Sequence, residues 1–200
     1  MFFGDLEAEF NQMTPLFFTK VRNVKSPTRG TELSAGIDFY IPEFDDKMVS
    51  DVIDKNPALF SGPQIRWTQG ILTPSLELPE TKYPTGILLM PHERILIPSG
   101  IHVKIHHKFA LIAHNKSGVA SKKGLDVLAN VVDEDYQGEV HLSLVNTSNT
   151  EPVGIISGDK ILQFILIPVL YAKLQEIETL EGLYPLKTKR GADGFGSTGV

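Results

Sequence analysis

Cysteine is absent from the 200 residues, which excludes disulfides, zinc–thiolate centres and thiol nucleophiles and accords with a reducing compartment. Long apolar runs are missing too: the longest, Ile161 to Tyr171, is broken by Gln163 and Pro168 and is too short to span a bilayer. Met1 is followed by acidic and polar residues rather than a basic segment and an apolar stretch, so no secretory signal is expected and the expected location is cytoplasmic. Nor is there an excess of positive charge. Nineteen Lys and Arg against 24 Asp and Glu leave a net charge of −5, and with it no general attraction for nucleic acid or an anionic membrane. A polyanionic substrate must then be met locally, by a few cations, by oriented backbone amides or through a metal ion. No internal repeat is visible.

What is present suffices for one core and a small appendage: 42% of residues are apolar and 22% charged, ordinary values for a soluble globular chain. Residues 1–13 are weakly amphipathic. Leu16 to Val24 and Ile37 to Ile41 read as strands, separated by the turn Ser26-Pro27-Thr28-Arg29-Gly30. The character then changes over residues 43–86. Asp45 to Phe60 has apolar residues at helical spacing, with Asp45 or Asp46 to cap its start and Pro57 to limit its end, and a Pro-rich stretch follows. This segment reads as an insertion carrying a helix and a hairpin.

From Ile87 onward short β-rich runs alternate with turns: Ile95–Ile97, Ile101–Ile105, Ala110–Ala113, Val127–Val132, Val140–Val145 and Ile161–Val169. Turns are expected at Pro98-Ser99-Gly100, Ser117-Gly118, Gln137-Gly138 and Ser157-Gly158-Asp159. Such punctuation predicts an all-β sandwich or jelly-roll-like barrel rather than a βαβ sheet. Residues 187–200 are glycine-rich and nearly devoid of apolar side chains, and are expected to form a mobile C-terminal arm on the single domain.

Five clusters carry chemistry. Ser34-Ala35-Gly36-Ile37-Asp38 is a small-residue turn running into a strand with a carboxylate. His114-Asn115-Lys116-Ser117-Gly118-Val119-Ala120 sets a cation and a hydroxyl beside a glycine that lets backbone amides converge, which suits a phosphate chain. Ala129 to Glu139 delivers Asp133-Glu134-Asp135, Tyr136 and a turn glycine after a β-run; a carboxylate there can serve as general base towards water. Gly158 to Phe164 is a turn into a strand bearing Lys160 and Gln163. The tail offers Arg190 for phosphate, Phe195 for stacking on a base, and two hydroxyls. Each has a plainer reading on its own: an ordinary turn, hairpin, solvated tip or loose end.

In their order and spacing these clusters resemble the five motifs of trimeric dUTPases (deoxyuridine 5'-triphosphate nucleotidohydrolases), over residues 16–42 and 87–200. The resemblance implies a dUTPase-like distorted jelly-roll with a helix-containing insertion. It implies hydrolysis of dUTP to dUMP and pyrophosphate with Mg2+, lowering dUTP and supplying dUMP for dTTP synthesis, in a homotrimer with shared sites. By resemblance Asp133 activates the water, Ser117 lies near the α–β bridge, and Arg190 acts on the phosphates. Lys116, Gly118 and Gln163 are then phosphate-side contacts. Asn130 and Val132 face the base, and Tyr136 packs on the deoxyribose and excludes a ribose 2′-hydroxyl. Phe195, Gly196, Ser197 and Thr198 close a lid, and Asp38 acts on the metal through water.

Two departures stand out. Lys116 replaces the usual Arg and so loses the bidentate fork, and Asn130 stands where a small residue is common. The insertion would be unsurprising in a viral or phage genome, which would make the location a host cytoplasm. Two readings stand beside the first: a dCTP deaminase or bifunctional deaminase–dUTPase, with Glu139 as the only carboxylate placed for it, and a dUTPase with a regulatory binding role through its insertion.

Overall fold

A computed structural model describes residues 15–60, 67–68 (backbone only) and 86–193. The expected features of residues 1–13, most of the insertion's second half and Phe195, Gly196, Ser197 and Thr198 lie outside the described residues. The chain forms two compact units, residues 1–169 and residues 170–200.

In chain order the first unit contains β1 (Phe17–Lys20), β2 (Thr28–Arg29), β3 (Ile37–Phe39), α1 (Asp46–Lys55), α2 (Pro57–Phe60), β4 (Trp67–Thr68) and β5 (Gly86–Leu89). There follow β6 (Arg94–Pro98), β7 (Ile101–Lys104), β8 (Phe109–Asn115), α3 (Ser117–Lys123), β9 (Leu125–Val127), β10 (Val131–Val132), β11 (His141–Asn146), β12 (Val153–Ile156) and β13 (Leu162–Pro168). The described strands pair as β1-β7, β10-β8-β13-β3-β2, β6-β11-β9 and β12-β5-β4, and every pairing is antiparallel. This is the all-β architecture that the short punctuated runs predict.

Between the sheets lies one core, in which Phe39 and Phe164 meet with ring centroids 4.5 Å apart among Ile41, Ile97, Leu111 and Leu142. These two rings lock β3 to β13, and truncating either to Ala is expected to cost about 3–5 kcal/mol. The register follows: Gln163 of β13 lies opposite Asp38 on one side and His114 on the other.

In the insertion, helix α1 forms where its periodicity predicts. Asp45 caps it by accepting the Met48 N–H at 2.8 Å, and Met48 and Val52 are buried on the core face. Pro57 does end α1, but it also opens the short α2, as suits a residue with no N–H to leave unsatisfied. Asn56 between them staples the insertion to β6. Its amide donates to the Leu96 carbonyl at 2.8 Å and its Oδ1 accepts the Leu96 N–H at 2.8 Å.

Three segments differ from the sequence expectation. Ser117-Gly118 opens helix α3 rather than a turn, because Gly124 closes that helix at φ 65° with its N–H on Ala120 and Lys122 and Lys123 sit in the last turn. The single run Val127–Val132 divides into β9 and β10. The Leu128 N–H donates to Ser143 (3.1 Å) while the Asn130 carbonyl accepts from Ala113 (2.7 Å), so the chain steps from the β11 sheet to the β8 sheet. Val153–Ile156 is an additional strand, paired with β5.

In the second unit Thr179 caps α4 (Leu180–Leu183) by accepting the Gly182 N–H at 3.0 Å. Every residue from Leu170 to Asp193 is exposed. No described helix is long and apolar enough to cross a membrane.

Candidate active site

The step between β9 and β10 forms one wall of a cleft of about 170 Å³, lined by Asn130, Val132, Asp133, Tyr136, Leu96 and His141 among others. Four residues singled out in the sequence thus meet in one place. The acidic run divides in its contacts. Glu134 is held by the Lys108 N–H (2.5 Å) and His107 Nδ1 (3.0 Å), whereas the Asp133 side chain lines the cleft with no ion pair among the described residues. The Tyr136 hydroxyl donates to the Glu139 carbonyl at 3.0 Å. Gly138 permits this arrangement, since a Cβ there would collide with the tyrosine ring and hydroxyl.

A second group of residues gathers at the far end of β8. The Lys116 ammonium donates to Asp38, and Lys160 reaches the same carboxylate at 3.0 Å. The Asp38 side chain is only 4% exposed. Burial pushes its carboxyl up, but hydrogen bonds and charge from Lys116 and Lys160 together outweigh this and hold it below the usual carboxylate range. Lys160 is raised in turn by Asp38. Beside the pair, the Gln163 amide donates to the Asn115 carbonyl at 2.8 Å, and Gly36 packs so closely on the Gln163 side chain that no Cβ fits.

The first, second and fourth motifs therefore meet because β13 lies between β8 and β3. Ser117 and Gly118 are exposed at the start of α3, and a Cβ on Gly118 would meet only open space, so packing within the protein does not demand that glycine. Asp38, expected to act on a metal through water, accepts from an ammonium group at each of its two oxygens.

The two ends are joined by one strand. Ala113 holds the Asn130 carbonyl and Lys116 lies three residues further on, roughly 10 Å of extended chain. In the second unit Arg190 Nε donates to the Asp193 carbonyl at 2.9 Å, and Gly191 turns the chain at φ 54°.

Sequence reasoning passed over several residues. His141 lines the cleft, and its Nε2 is buried without a partner among the described residues. Burial first, then the charge of Lys55, lowers its pKa, so the ring is neutral near pH 7. Arg22 grips Glu139, whose carboxyl burial pushes up but Arg22 and the Gly100 N–H bring below its usual range. Only the fold brings these residues to the site, and a lone His in a strand or Arg in a loop has no local signature.

The fold is all-β, and the motif residues form a cleft and a cation-bearing carboxylate cluster. The family model for dUTPase matches residues 82–199, and the chain belongs to the dUTPase family. It is 36% identical over 148 residues to the deoxyuridine 5'-triphosphate nucleotidohydrolase of Desulfotalea psychrophila, covering 67% of this chain and 95% of that protein. It is 41% identical over 116 residues to the enzyme of the same name from the Wolbachia of Brugia malayi (57% and 72%). Among solved structures it resembles in fold the dUTPase of Staphylococcus bacteriophage 80alpha with dUPNHPP, at TM-score 0.63 and 19% identity over 94% of this chain and all of that one. It also resembles a mutant dUTPase from phage phi11 of S. aureus, described with a structural Mg(II) ion, at TM-score 0.57 and 17% identity over 84% and 99%.

Proposed function

We propose that the chain hydrolyses dUTP to dUMP and pyrophosphate, lowering dUTP and supplying dUMP for dTTP synthesis. The observation that carries this reading is the nucleoside-sized cleft holding Asp133 and Tyr136, with two lysines gathered at the other end of the same strand.

Asp133 accepts a proton from water as the water oxygen bonds to the α-phosphorus. The bond from that phosphorus to the α–β bridging oxygen breaks, and pyrophosphate leaves with the electron pair. Lys116, Ser117, Gly118 and Gln163 hold the phosphates, and Asp38 fixes the Lys116 and Lys160 ammonium groups towards them. Asn130 and Val132 face the base, and Tyr136 packs on the deoxyribose.

A divalent cation fits this site as an ion carried by the substrate. No cluster of three or more His, Asp or Glu able to hold a metal occurs among the described residues, and Asp38 already serves two cations. Mg2+ suits such a setting because it keeps waters and takes phosphate oxygens as ligands. When bound it supplies neutralisation of phosphate charge.

The arm is read as a lid: Arg190 meets phosphate, and Phe195, Gly196, Ser197 and Thr198 cover the base and exclude water. In a homotrimer it would close over a neighbour's site. On this reading the chain is one dUTPase-like domain over 1–200 with an insertion at 43–86 and an arm at 187–200, the arm falling within the second compact unit.

Deamination of dCTP is the weaker reading, because Glu139, its only candidate carboxylate, is taken by Arg22 and the Gly100 N–H. Product profiles with dUTP, dCTP and UTP in Mg2+ test the proposal. Pyrophosphate and dUMP from dUTP alone support it; ammonia from dCTP, or no turnover of dUTP, overturns it. Truncation after Lys189 tests the lid, which predicts lost turnover with an unchanged melting temperature.

A further inference from the structure

Arg22 and Glu139 are 117 positions apart in the chain, yet the guanidinium grips that carboxylate with two bonds, Nε to Oε1 at 2.7 Å and Nη2 to Oε2 at 2.9 Å. The same Nη2 donates to Asp51 Oδ2 at 2.5 Å. Asp51 lies on α1, inside the insertion, where Lys47 one turn earlier reaches it at 2.8 Å. Glu139 Oε1 also accepts the Gly100 N–H at 2.6 Å. The Arg22 side chain is 8% exposed, and its Nη1 is buried without a partner among the described residues.

A planar fork between two carboxylates in so dry a setting fixes geometry as well as charge. It does so at a useful place. The main-chain carbonyl of Glu139 is the acceptor for the Tyr136 hydroxyl, and Tyr136 is the aromatic wall of the cleft. The contacts therefore run from the inserted helix through Asp51, Arg22 and Glu139 to Tyr136. A second link arrives alongside, since Asn56 at the end of α1 holds both backbone groups of Leu96, which lines the same cleft.

We infer that Arg22 and Asp51 are positioning residues for nucleoside selection: the insertion clamps Glu139, and the Glu139 carbonyl sets how deep the Tyr136 ring stands in the cleft. Ring depth decides whether a ribose 2′-hydroxyl fits. The insertion is then part of the specificity apparatus of the site, although none of its described residues lines the cleft. This inference rests on the proposed dUTP hydrolysis.

A staple that merely anchors the insertion and a device that positions Tyr136 make different predictions. Loss of a staple lowers stability and leaves the ratio of kcat/KM for dUTP over UTP alone; loss of the device lowers that ratio. The experiment measures kcat, KM and melting temperature on dUTP and UTP for wild type, Asp51→Asn, Arg22→Lys, Tyr136→Phe and the Asp51→Asn/Tyr136→Phe double variant. Coupling through a contact network leads us to expect about a threefold to tenfold fall in the dUTP preference for Asp51→Asn. It should arise mainly as a lower KM for UTP, with a larger fall in the preference for Arg22→Lys. In the Tyr136→Phe background, which lacks the hydroxyl, Asp51→Asn should have no further effect on the ratio. An unchanged preference in folded Asp51→Asn, or additive losses in the double variant, overturns the inference while leaving dUTP hydrolysis by the wild type intact. A wild type that does not turn over dUTP overturns both. Should Arg22→Lys fail to fold, Asp51→Asn decides alone, because it removes one charge from a partly exposed helix.

Discussion

Lys116 and Asp38, 78 positions apart in sequence, form an ion pair that spans β13, the strand lying between β8 and β3. The carboxylate is buried and the ammonium partly exposed, so the anion is fixed and, on the proposed reading, mounts the cation for phosphate. Replacing Lys116 by Met leaves Asp38 with Lys160 alone, which is about half exposed. Because Lys160 still compensates the carboxylate, the loss should be modest, about 1–2 kcal/mol, seen as a lower urea midpoint. The affinity for a non-hydrolysable dUTP analogue should fall as well. Unchanged affinity would mean that the lysine serves the fold only.

Asp133→Asn removes the proposed proton acceptor and keeps the shape. Turnover of dUTP should fall by about 10²–10⁴-fold, with calorimetric binding of the non-hydrolysable analogue nearly intact. Near-normal pyrophosphate release would move the base elsewhere.

Gly138→Ala tests how closely Tyr136 is packed. The added methyl would strike the end of a side chain that can swing away, so the stability cost should be small, about 1 kcal/mol. The displaced ring should nevertheless lower kcat/KM for dUTP by about tenfold or more, since small misplacements of a positioning group are costly. A loss of stability without a loss of activity would contradict the placement.

His141 gives the fold an acid-sensitive element. Its folded pKa lies below the unfolded value of about 6.5, so the unfolded state binds more protons in that window. Stability must then decline as pH falls from about 6.5 towards the folded pKa. The groups acting on the ring are Lys55, Arg22 and Glu139. Glu139 titrates lower, below the usual carboxylate range, and so does not mask the effect. His141→Leu should flatten the melting-temperature profile between pH 7 and 5, and an unaltered slope would place the sensitivity elsewhere.

Local signals in the sequence were readable and long-range ones were not. Asp45 before an amphipathic run announces α1, and the alternating apolar residues around Ile95 and Ile97 announce β6. Helix α3 is not legible, because the Ser117-Gly118 pair reads as a turn and the closing role of Gly124 shows only in the structure. The partners of Asp38, by contrast, are decided by which strands lie next to each other. The same holds for Arg22 and Glu139, and for His141, whose ring enters the cleft only because β11 runs along one wall. Family resemblance drew attention to Asp133 and Tyr136; it could not disclose the clamp behind them, because the Asp51 half of that clamp lies in the insertion.

Strand β8 is hydrogen-bonded along both edges, to β10 and to β13. A strand fixed on both sides cannot slide, and a slip of a single residue would turn every side chain to the opposite face. The interval between the Asn130 step and Lys116, the proposed base and phosphate ends of the site, is therefore a fixed gauge built into the backbone. Exchanging side chains at either end changes how tightly a nucleotide is held. On the proposed reading the main chain then measures the length of nucleotide held, and an insertion or deletion between Ala113 and Lys116 should reset it.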